Sequence, residues 1–563
     1  MAGAATVGVP DEGIDPEVYR RRWWTLGVLC LSLLIIMVGN TALNVAIPVL
    51  SEELNASNSE LQWIVDAYSL VFAGLLFVAG NIGDRYGRKG ILQFGLVLFA
   101  LATGYAAFVA DSAADVIASR VAMGVAGAAI MPATLSIITN VFPREERARA
   151  VAMWAGISGA GTALGPLLTG WVLEHADWNW VFAVNLPFVA TALVLGVRFV
   201  PRIRSDHGSP FDLPGAVLSA VGLVAVVYAI IEAPAHGWLA PETLIVGGLG
   251  LLVLAAFVAW ELHVESPMLD VRLFRIRAFG VSSLSLTLVF FALMGMFFSM
   301  SQLLQLVYGY SPLNAAVRLL PISVAVVIAS TQSARVAERF GKRRTVAVGM
   351  WMIALGTGSL AASGVDPNYP LLVIGLVVMA SGMGLAMSPT TDLLMSTVPR
   401  EKAGMGSAMN DTVRELGGSL GVAIIGSILA SRYAHGLSDA VSGTVPDDVP
   451  DVATESLGGA LGAAQQLGDG GVALVDAARE SWVEAFQYSV LVGSLVVAIS
   501  GLIAWRFLPD RAADVTDPTV GDVVAGHEPE PQPLAAAAVV RWTVPRRGRC
   551  PPSDRPVPTV RPL

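Results

Sequence analysis

Runs of about twenty apolar residues, each long enough to cross a bilayer as a helix, recur from Trp24 to Leu508. Hydropathy places them near 24–50, 61–82, 90–110, 114–141, 148–172, 179–200, 213–232, 242–261, 279–307, 313–334, 345–364, 370–397, 406–431 and 483–508. The expectation is an all-α integral membrane protein with about fourteen spans. Composition agrees: 54% of residues are hydrophobic and only 14% charged, against roughly 25% charged in soluble domains. The stretch that begins "RRRWWTLGVLCLSLLIIMVGN" at Arg20 is too long for a signal-peptide core and has no convincing cleavage site, so it reads as a retained first span. The six histidines fall in loops, at helix ends or in the tail, and the two cysteines are far apart, so neither a disulfide framework nor a metal site is expected.

Cytoplasmic connections keep Lys and Arg, and short exported ones do not. Every second connection here is basic: "DRYGRK", "PREERARA", "RFVPRIR", "VRLFRIR", "ARVAERFGKRR" and "PREK". The intervening loops 51–60, 111–119 (up to Ser119), 173–178, 233–241 and 365–369 contain no Lys or Arg. This puts both termini in the cytoplasm and the chain in the cell membrane. The long loop 433–481, acidic and rich in Gly and Ala, falls outside. Residues 509–563 are a Pro-rich tail that cannot bury enough apolar surface to order itself, and they read as a disordered cytoplasmic segment.

Two motifs recur. "DRYGRK" from Asp84 is repeated as "ERFGKR" from Glu338, an offset of 254 residues. "GAAIMPATLSIITNVFPRE", ending at Glu145, is repeated as "GLAMSPTTDLLMSTVPRE", ending at Glu401, an offset of 256. Nearly equal offsets argue for a duplicated block, and because both copies face the same side the halves are parallel repeats. An offset this large spans eight helices. The chain therefore divides into a short cytoplasmic segment 1–23, a six-helix bundle 24–200, two inserted helices with linkers 201–276, a second six-helix bundle 277–508 and the tail 509–563.

These residues resemble the major facilitator superfamily, and in particular its fourteen-helix drug–proton antiporters of the EmrB and QacA type. Gly80, Asp84, Arg85, Gly87, Arg88 and Lys89 match the superfamily's loop motif. "ASRVAMGVAGAAIMP" matches its arginine motif in the fourth helix, and "GTALGPLLTG", with Gly161, Gly165, Pro166 and Gly170, its antiporter motif in the fifth. "LQWIVDAYSL", "ESPMLDVRLF" and "GMGSAMNDTVRELGGSLGVAIIGS" are similar to segments of this branch. Two positions depart from the pattern: Gly39 stands where the first helix often carries an acid, and Thr169 where a Gly is usual. The resemblance implies a proton-coupled secondary exporter of amphiphilic organic compounds that works by alternating access, uses no cofactor beyond the proton gradient, binds no nucleic acid, sits in lipid and functions as a monomer. It is not an enzyme, and no phosphate-binding loop is present: "RFGKRR" lacks the required Ser or Thr. A transporter of one specific metabolite, or a transporter-like sensor, would share the architecture.

The residues themselves suggest roles. Gly83 and Gly87 allow a tight turn between the second and third spans, and Arg85, Arg88 and Lys89 stay at headgroup level. The resemblance implies that this cluster latches the cytoplasmic side; a topology anchor is the plainer alternative. Arg120 lies inside the fourth span with Gly124 and Gly127 on nearly the same face. A charge at that depth normally faces a partner or a cavity, and Asp66 in the second span, sharing its face with Gln62 and Ser69, is the expected partner unless it lies near the outer interface and snorkels. Dehydration and a neighbouring guanidinium move a carboxylate's proton affinity in opposite directions, and switching access changes both. Asp66 is thus a proton-coupling candidate tuned by Arg120, and Asp392 a second buried acid for the same role. Asn40, Thr41, Asn44, Gln62, Gln302 and Gln305 are neutral polar groups suited to lining a substrate cavity, or to joining helices. Asp411, Arg414 and Glu415 are expected to pair with one another. Gly161, Gly165, Pro166 and Gly170 form a small-residue stripe with a built-in kink, suited to close helix contact.

Overall fold

The computed structural model of the chain describes residues 15–202, 212–264, 267–398, 403–441, 451–466 and 469–509, and among these residues every regular element is a helix. The first expected span is two helices, α1 (Pro16–Thr41) and α2 (Leu43–Glu53), which meet at Ala42. Then come α3 (Asn58–Tyr86), α4 (Arg88–Phe108), α5 (Ala113–Val141) and α6 (Arg144–His175). The expected span 179–200 is also divided, into α7 (Trp180–Ala183) and α8 (Leu186–Phe199). The break falls at Val184–Asn185, just ahead of Pro187 in the first turn of α8, which has no N–H for the Ala183 carbonyl four residues back. The inserted hairpin is α9 (Leu213–His236) and α10 (Pro241–His263). The second bundle begins with α11 (Arg277–Gln302), widened into a π-turn over Leu303–Val307, and continues with α12 (Pro312–Phe340), α13 (Lys342–Ser359), α14 (Tyr369–Ser396) and α15 (Ala403–Val441). It ends with α16 (Asp451–Glu455), α17 (Leu457–Gln466) and α18 (Asp469–Phe507).

Twelve of the helical segments among the described residues are long and apolar enough to cross a membrane. α3 and α6 are not among them, although they run for 29 and 32 residues. Both are diluted by polar and small residues, such as Gln62, Asp66 and Asn81 in α3 and the charged opening and Gly-rich middle of α6.

The repeat is visible in the local chemistry. α3 starts with a capping box in which Ser57 Oγ accepts from Glu60 N (3.3 Å) and Glu60 Oε2 accepts from Ser57 N (2.9 Å). Its counterpart α12 starts with Ser311 Oγ accepting from Asn314 N (3.3 Å). Each helix ends on a glycine that turns directly into the next: Gly87 has φ 111° and Gly341 φ 88°. An L side chain is strained in that region, so glycine closes both turns.

Each half has its own apolar core, one around Leu29, Phe72, Phe99 and Ile130, the other around Met300, Met350, Met379 and Phe486. α9 lies in the seam, where Val227 and Ile231 pack with Leu70 of α3 and Ala423 of α15. Ser59 Oγ donates to Ile231 O (3.2 Å) and Trp63 Nε1 to Glu232 Oε1 (3.1 Å), while Ser427 Oγ of α15 donates to Ile230 O (2.8 Å), so α9 is tied to both halves. α10 packs on α9 and leaves Leu249, Leu251 and Leu252 exposed, as a helix facing lipid would.

The loop 433–481 is largely helical where it is described. α15 extends to Val441, α18 starts at Asp469, and α16 and α17 lie between. Tyr433 Oη donates to Ala453 O (2.9 Å), and Leu457, Ala460, Leu474 and Trp482 are buried together. The alanines that give this segment its low-complexity appearance are good helix formers that pack closely.

Candidate functional site

α3 and α15 meet along a polar seam. Gln62, Asp66 and Ser69 lie three and four residues apart and therefore share a face of α3. Each meets α15: Gln62 Oε1 is 3.2 Å from Ser427 Oγ, Asp66 faces Ser419, and Ser69 faces Glu415. Gly426 makes room for the first contact, since a methyl there would lie 2.8 Å from Gln62 Cδ. The partners descend α15 as the α3 residues ascend, so the helices are antiparallel and the seam joins the two halves.

Asp66 is completely buried, and neither of its carboxylate oxygens has a hydrogen-bond partner among the described residues. The Ser419 hydroxyl is also unpartnered. Arg120, completely buried too, comes from α5, which approaches α3 closely because Gly124 and Gly127 stand against Tyr68 and Phe72. Arg120 Nε donates to Ile64 O (2.9 Å) and Nη1 to Gly39 O (3.0 Å), and the guanidinium lies 4.4 Å above the Tyr68 ring. Its Nη2 has no partner. Unpaired ionisable groups away from water cost several kcal/mol, and in a membrane interior they mark function.

Several expectations change. Asp66 does not snorkel to an interface, and Arg120 is held by two backbone carbonyls and a ring rather than by an ion pair with Asp66. The carbonyl of Gly39, at the position where an acid is frequent, is one of its two acceptors. Asp392 is not buried: its side chain is 65% exposed and forms an ion pair with Lys342. It sits in the last turns of α14, where the lysine of the turn after α12 reaches it. Arg414 lies near Asp411 and Glu415, as expected, and its Nη2 also reaches Thr391 Oγ1 (3.4 Å), while Glu415 in addition faces Ser69 of α3. Glu415 and Ser419 are the site residues that sequence reasoning missed. Their four-residue spacing inside a span was a usable sign.

The neutral polar candidates separate. Thr41 and Asn44 line a small cavity with Val45, Pro166, Phe297, Ser301 and Leu319, about 10 Å³ between the halves. Asn44 Oδ1 is buried without a partner. Gln305 Nε2 donates to Val45 O (2.9 Å) and to Ser301 Oγ (3.0 Å), linking α11 to α2. Gln302 is buried and donates to Phe298 O of its own helix (3.3 Å); Gln62 belongs to the α3–α15 seam; Asn40 is half-buried and does not line the cavity.

The antiporter stripe lies where close contact was expected. A methyl on Gly161 would lie 2.6 Å from Met37 Cβ, and one on Gly165 would strike Thr41. Gly170 meets α12 of the other half, where a methyl would lie 2.7 Å from Leu313 Cα. In the loop motif, Gly80 lies near Pro132, Arg88 Nη1 donates to Ser136 O (3.1 Å) and Lys89 Nζ to Val197 O (2.8 Å). The side chains of Asp84 and Arg85 lie outside the described residues.

Further bonds between the halves join Ser51 to Ser456, Asn58 to Glu455 O and Ser311 to Glu174. With Gln305, they lie at the end of the bundle whose short loops carry no Lys or Arg. Two repeated helical halves, joined across buried ionisable groups and a small cavity, define a membrane transporter. The pattern of the Major Facilitator Superfamily matches residues 29–422, and the chain belongs to that family, in its drug-efflux branch.

Among its relatives, the multidrug efflux pump LfrA of Mycolicibacterium smegmatis is 35% identical over 503 residues, which is 89% of this chain and 98% of that one. The methyl viologen resistance protein SmvA of Salmonella typhimurium is 33% identical, covering 84% and 95%. The tetracenomycin C resistance and export protein of Streptomyces glaucescens is 30% identical, covering 73% and 77%. The fold resembles that of an inward-facing bacterial homolog of the human lysosomal transporter Spinster, with TM-score 0.61 at 17% identity over 89% of this chain and 99% of that one. It also resembles the inward-open xylose transporter XylE from E. coli, with TM-score 0.52 at 14% identity over 89% and 99%.

Proposed function

We propose that the chain is a proton-coupled exporter of small amphiphilic organic compounds, working as a monomer by alternating access in the cell membrane. The observation that carries this reading is the fully buried, unpartnered Asp66 carboxylate at the contact between halves, with Arg120 behind it and Ser419 and Glu415 in front. In a rocking transporter that contact opens and closes in each cycle. Asp66 then alternates between a dry and a hydrated setting, and its relation to the arginine and to α15 changes with it. Hydration and neighbouring charge are the quantities that set a carboxylate's proton affinity. Asp66 takes a proton from outside and releases it inside, with Arg120 and Glu415 as its electrostatic partners. The gradient supplies the energy, and no cofactor is needed.

In this reading α3 and α6 join the twelve apolar segments to make fourteen spans, arranged as bundles 24–200 and 277–508 with the inserted pair between them. The basic loops lie in the cytoplasm with both termini. Gly80, Asp84, Arg85, Gly87, Arg88 and Lys89 form the cytoplasmic latch, and the Gly161–Gly170 stripe is the sliding contact that seals the cavity. The exposed apolar faces of α10 and its neighbours meet lipid. Relatives named for multidrug efflux and for tetracenomycin C export support an organic cargo moved outward. The test is drug or dye transport in inverted vesicles under an imposed pH gradient. The parent should accumulate the probe only with the gradient, and Asp66→Asn and Arg120→Ala should not accumulate it. Uphill transport that ignores the gradient would remove the coupling and leave the architecture.

A further inference from the structure

The inserted hairpin carries two acids that the Asp66 site does not use. Asp212 caps the start of α9 and Glu261 lies in the last turn of α10, so both stand at the end of the hairpin beside the basic linkers. They are 8% and 2% exposed. Carboxylates are seldom buried so far unless every oxygen has a partner.

Each carboxyl has one oxygen satisfied. Asp212 Oδ1 accepts from Gly215 N (2.9 Å), the capping bond, and from Trp260 Nε1 of α10 (2.8 Å). Glu261 Oε2 accepts from Leu269 N (3.2 Å), and the Met268 backbone also bonds this carboxyl. Met268 and Leu269 belong to the strap that runs from α10 through a short 3-10 helix, Val271–Arg275, into α11. Leu273 of that strap is buried with Phe279 and Leu286 of α11, Leu394 of α14 and Met409 of α15. Glu261 therefore ties the hairpin to a strap anchored in the second half.

The other two oxygens, Asp212 Oδ2 and Glu261 Oε1, are buried with no donor among the described residues. They meet beside Gly215: a methyl there would strike Asp212 Oδ2 and lie 2.7 Å from Glu261 Oε1, and the two carboxyls are within hydrogen-bonding reach of each other. Ionised carboxylates only accept. Two of them in contact repel, whereas one proton between them gives the pair a hydrogen bond and removes one of the two charges. The other charged groups nearby bond the backbone: Asp270 Oδ1 accepts from Arg272 N (3.2 Å), Arg272 Nη2 donates to Leu262 O (3.0 Å), and His263 Nδ1 lies 2.7 Å from Ala259 O.

We propose that Asp212 and Glu261 form a second proton-binding site, in which one shared proton clasps the inserted hairpin to the strap before α11, and that loss of this proton loosens the clasp. The site is separate from Asp66 and independent of what the protein carries. Solvated Asp and Glu are ionised above about pH 5, so the folded protein keeps a proton at neutral pH that the unfolded chain releases. Stability falls with rising pH wherever the folded state holds more protons, so the clasp contributes at neutral pH and is lost in alkali.

The test uses the purified full-length protein in detergent. In an Asp66→Asn background, infrared spectra at neutral pH should show a protonated carboxylic-acid C=O band that loses intensity in Glu261→Gln and equally in Asp212→Asn, because removing either acid removes the need for the proton. Thermal unfolding between about pH 6 and about pH 9 should show the parent losing stability more steeply than Glu261→Gln, whose amide keeps an oxygen for Leu269 N and gives Asp212 Oδ2 a donor that alkali does not remove. Asp212→Asn, which keeps an oxygen for Gly215 N, is the second variant should position 261 tolerate no change. An infrared band untouched by whichever variant folds, or equal pH slopes in that variant and the parent, would overturn the proposal. So would a melting temperature raised by sodium or calcium in the parent and not in the variant, since a metal cation would then be what joins the two oxygens.

Discussion

The two halves are built alike at their turns and differently in their middles. Ser57 and Ser311 cap α3 and α12, Gly87 and Gly341 turn them into the next helix, and in each half a base after that glycine reaches the end of the following long helix. Arg88 meets the Ser136 carbonyl in one half and Lys342 the Asp392 carboxylate in the other. At mid-helix the likeness ends. The repeat offset carries Asp66 onto the apolar 320–322 of α12 and Arg120 onto 374–376 of α14, Ile-Gly-Leu. The first half keeps an arginine and an acid in its interior, and the second answers from another helix, with Glu415 and Ser419 of α15. Duplication thus supplies a frame of turns, and ionisable chemistry has been kept or added where the halves touch.

Substitutions can break that comparison. The largest effect is expected for Asp66→Asn, which should abolish gradient-driven efflux and leave ligand binding in place; Ile322→Asn, at a repeat-related position, should not uncouple transport. Flux in proteoliposomes with and without a pH difference decides this. Arg120→Ala comes next. It leaves two buried carbonyls, Ile64 O and Gly39 O, without their donor, about 1–3 kcal/mol for each. Arg120→Lys should not restore function, because a point charge cannot hold Ile64 O and Gly39 O together while covering Tyr68. Thermal unfolding of the detergent-solubilised protein, read beside flux, separates stability from coupling.

Gly87→Ala and Gly341→Ala should each cost about 1–3 kcal/mol, because both glycines have backbone angles that L residues avoid. Equal losses of thermal stability would sharpen the repeat, and unequal loss of transport would show which turn moves. The smallest effect is expected for Lys342→Ala, which breaks an exposed ion pair worth about 0.2–1 kcal/mol. Asp392→Asn should likewise leave coupling intact, and uncoupled transport in that variant would return the second half to proton handling.

Much of this was legible in the sequence. Span length, alternation of basic loops and the two equal offsets specify a helical membrane protein built from a duplicated bundle, because lipid leaves few choices to an apolar segment and because glycine and serine at turns act locally. The face shared by Gln62, Asp66 and Ser69, and that shared by Arg120, Gly124 and Gly127, followed from helical periodicity. The breaks at Ala42 and just ahead of Pro187 and the helical order within 433–481 were less visible, since hydropathy averages over a kink and alanine-rich helices resemble loops in composition.

What the sequence determined by itself is an all-helical membrane chain with repeated turn motifs and costly charges among its apolar segments. Only tertiary structure decided which charges meet: Asp392, inside an expected span, lies at a surface beside Lys342, while Glu415, near two other charges in sequence, faces α3. The reason is that depth and partner depend on how helices far apart in the chain are rotated and packed against one another, and periodicity gives the face of a helix without saying what that face will touch.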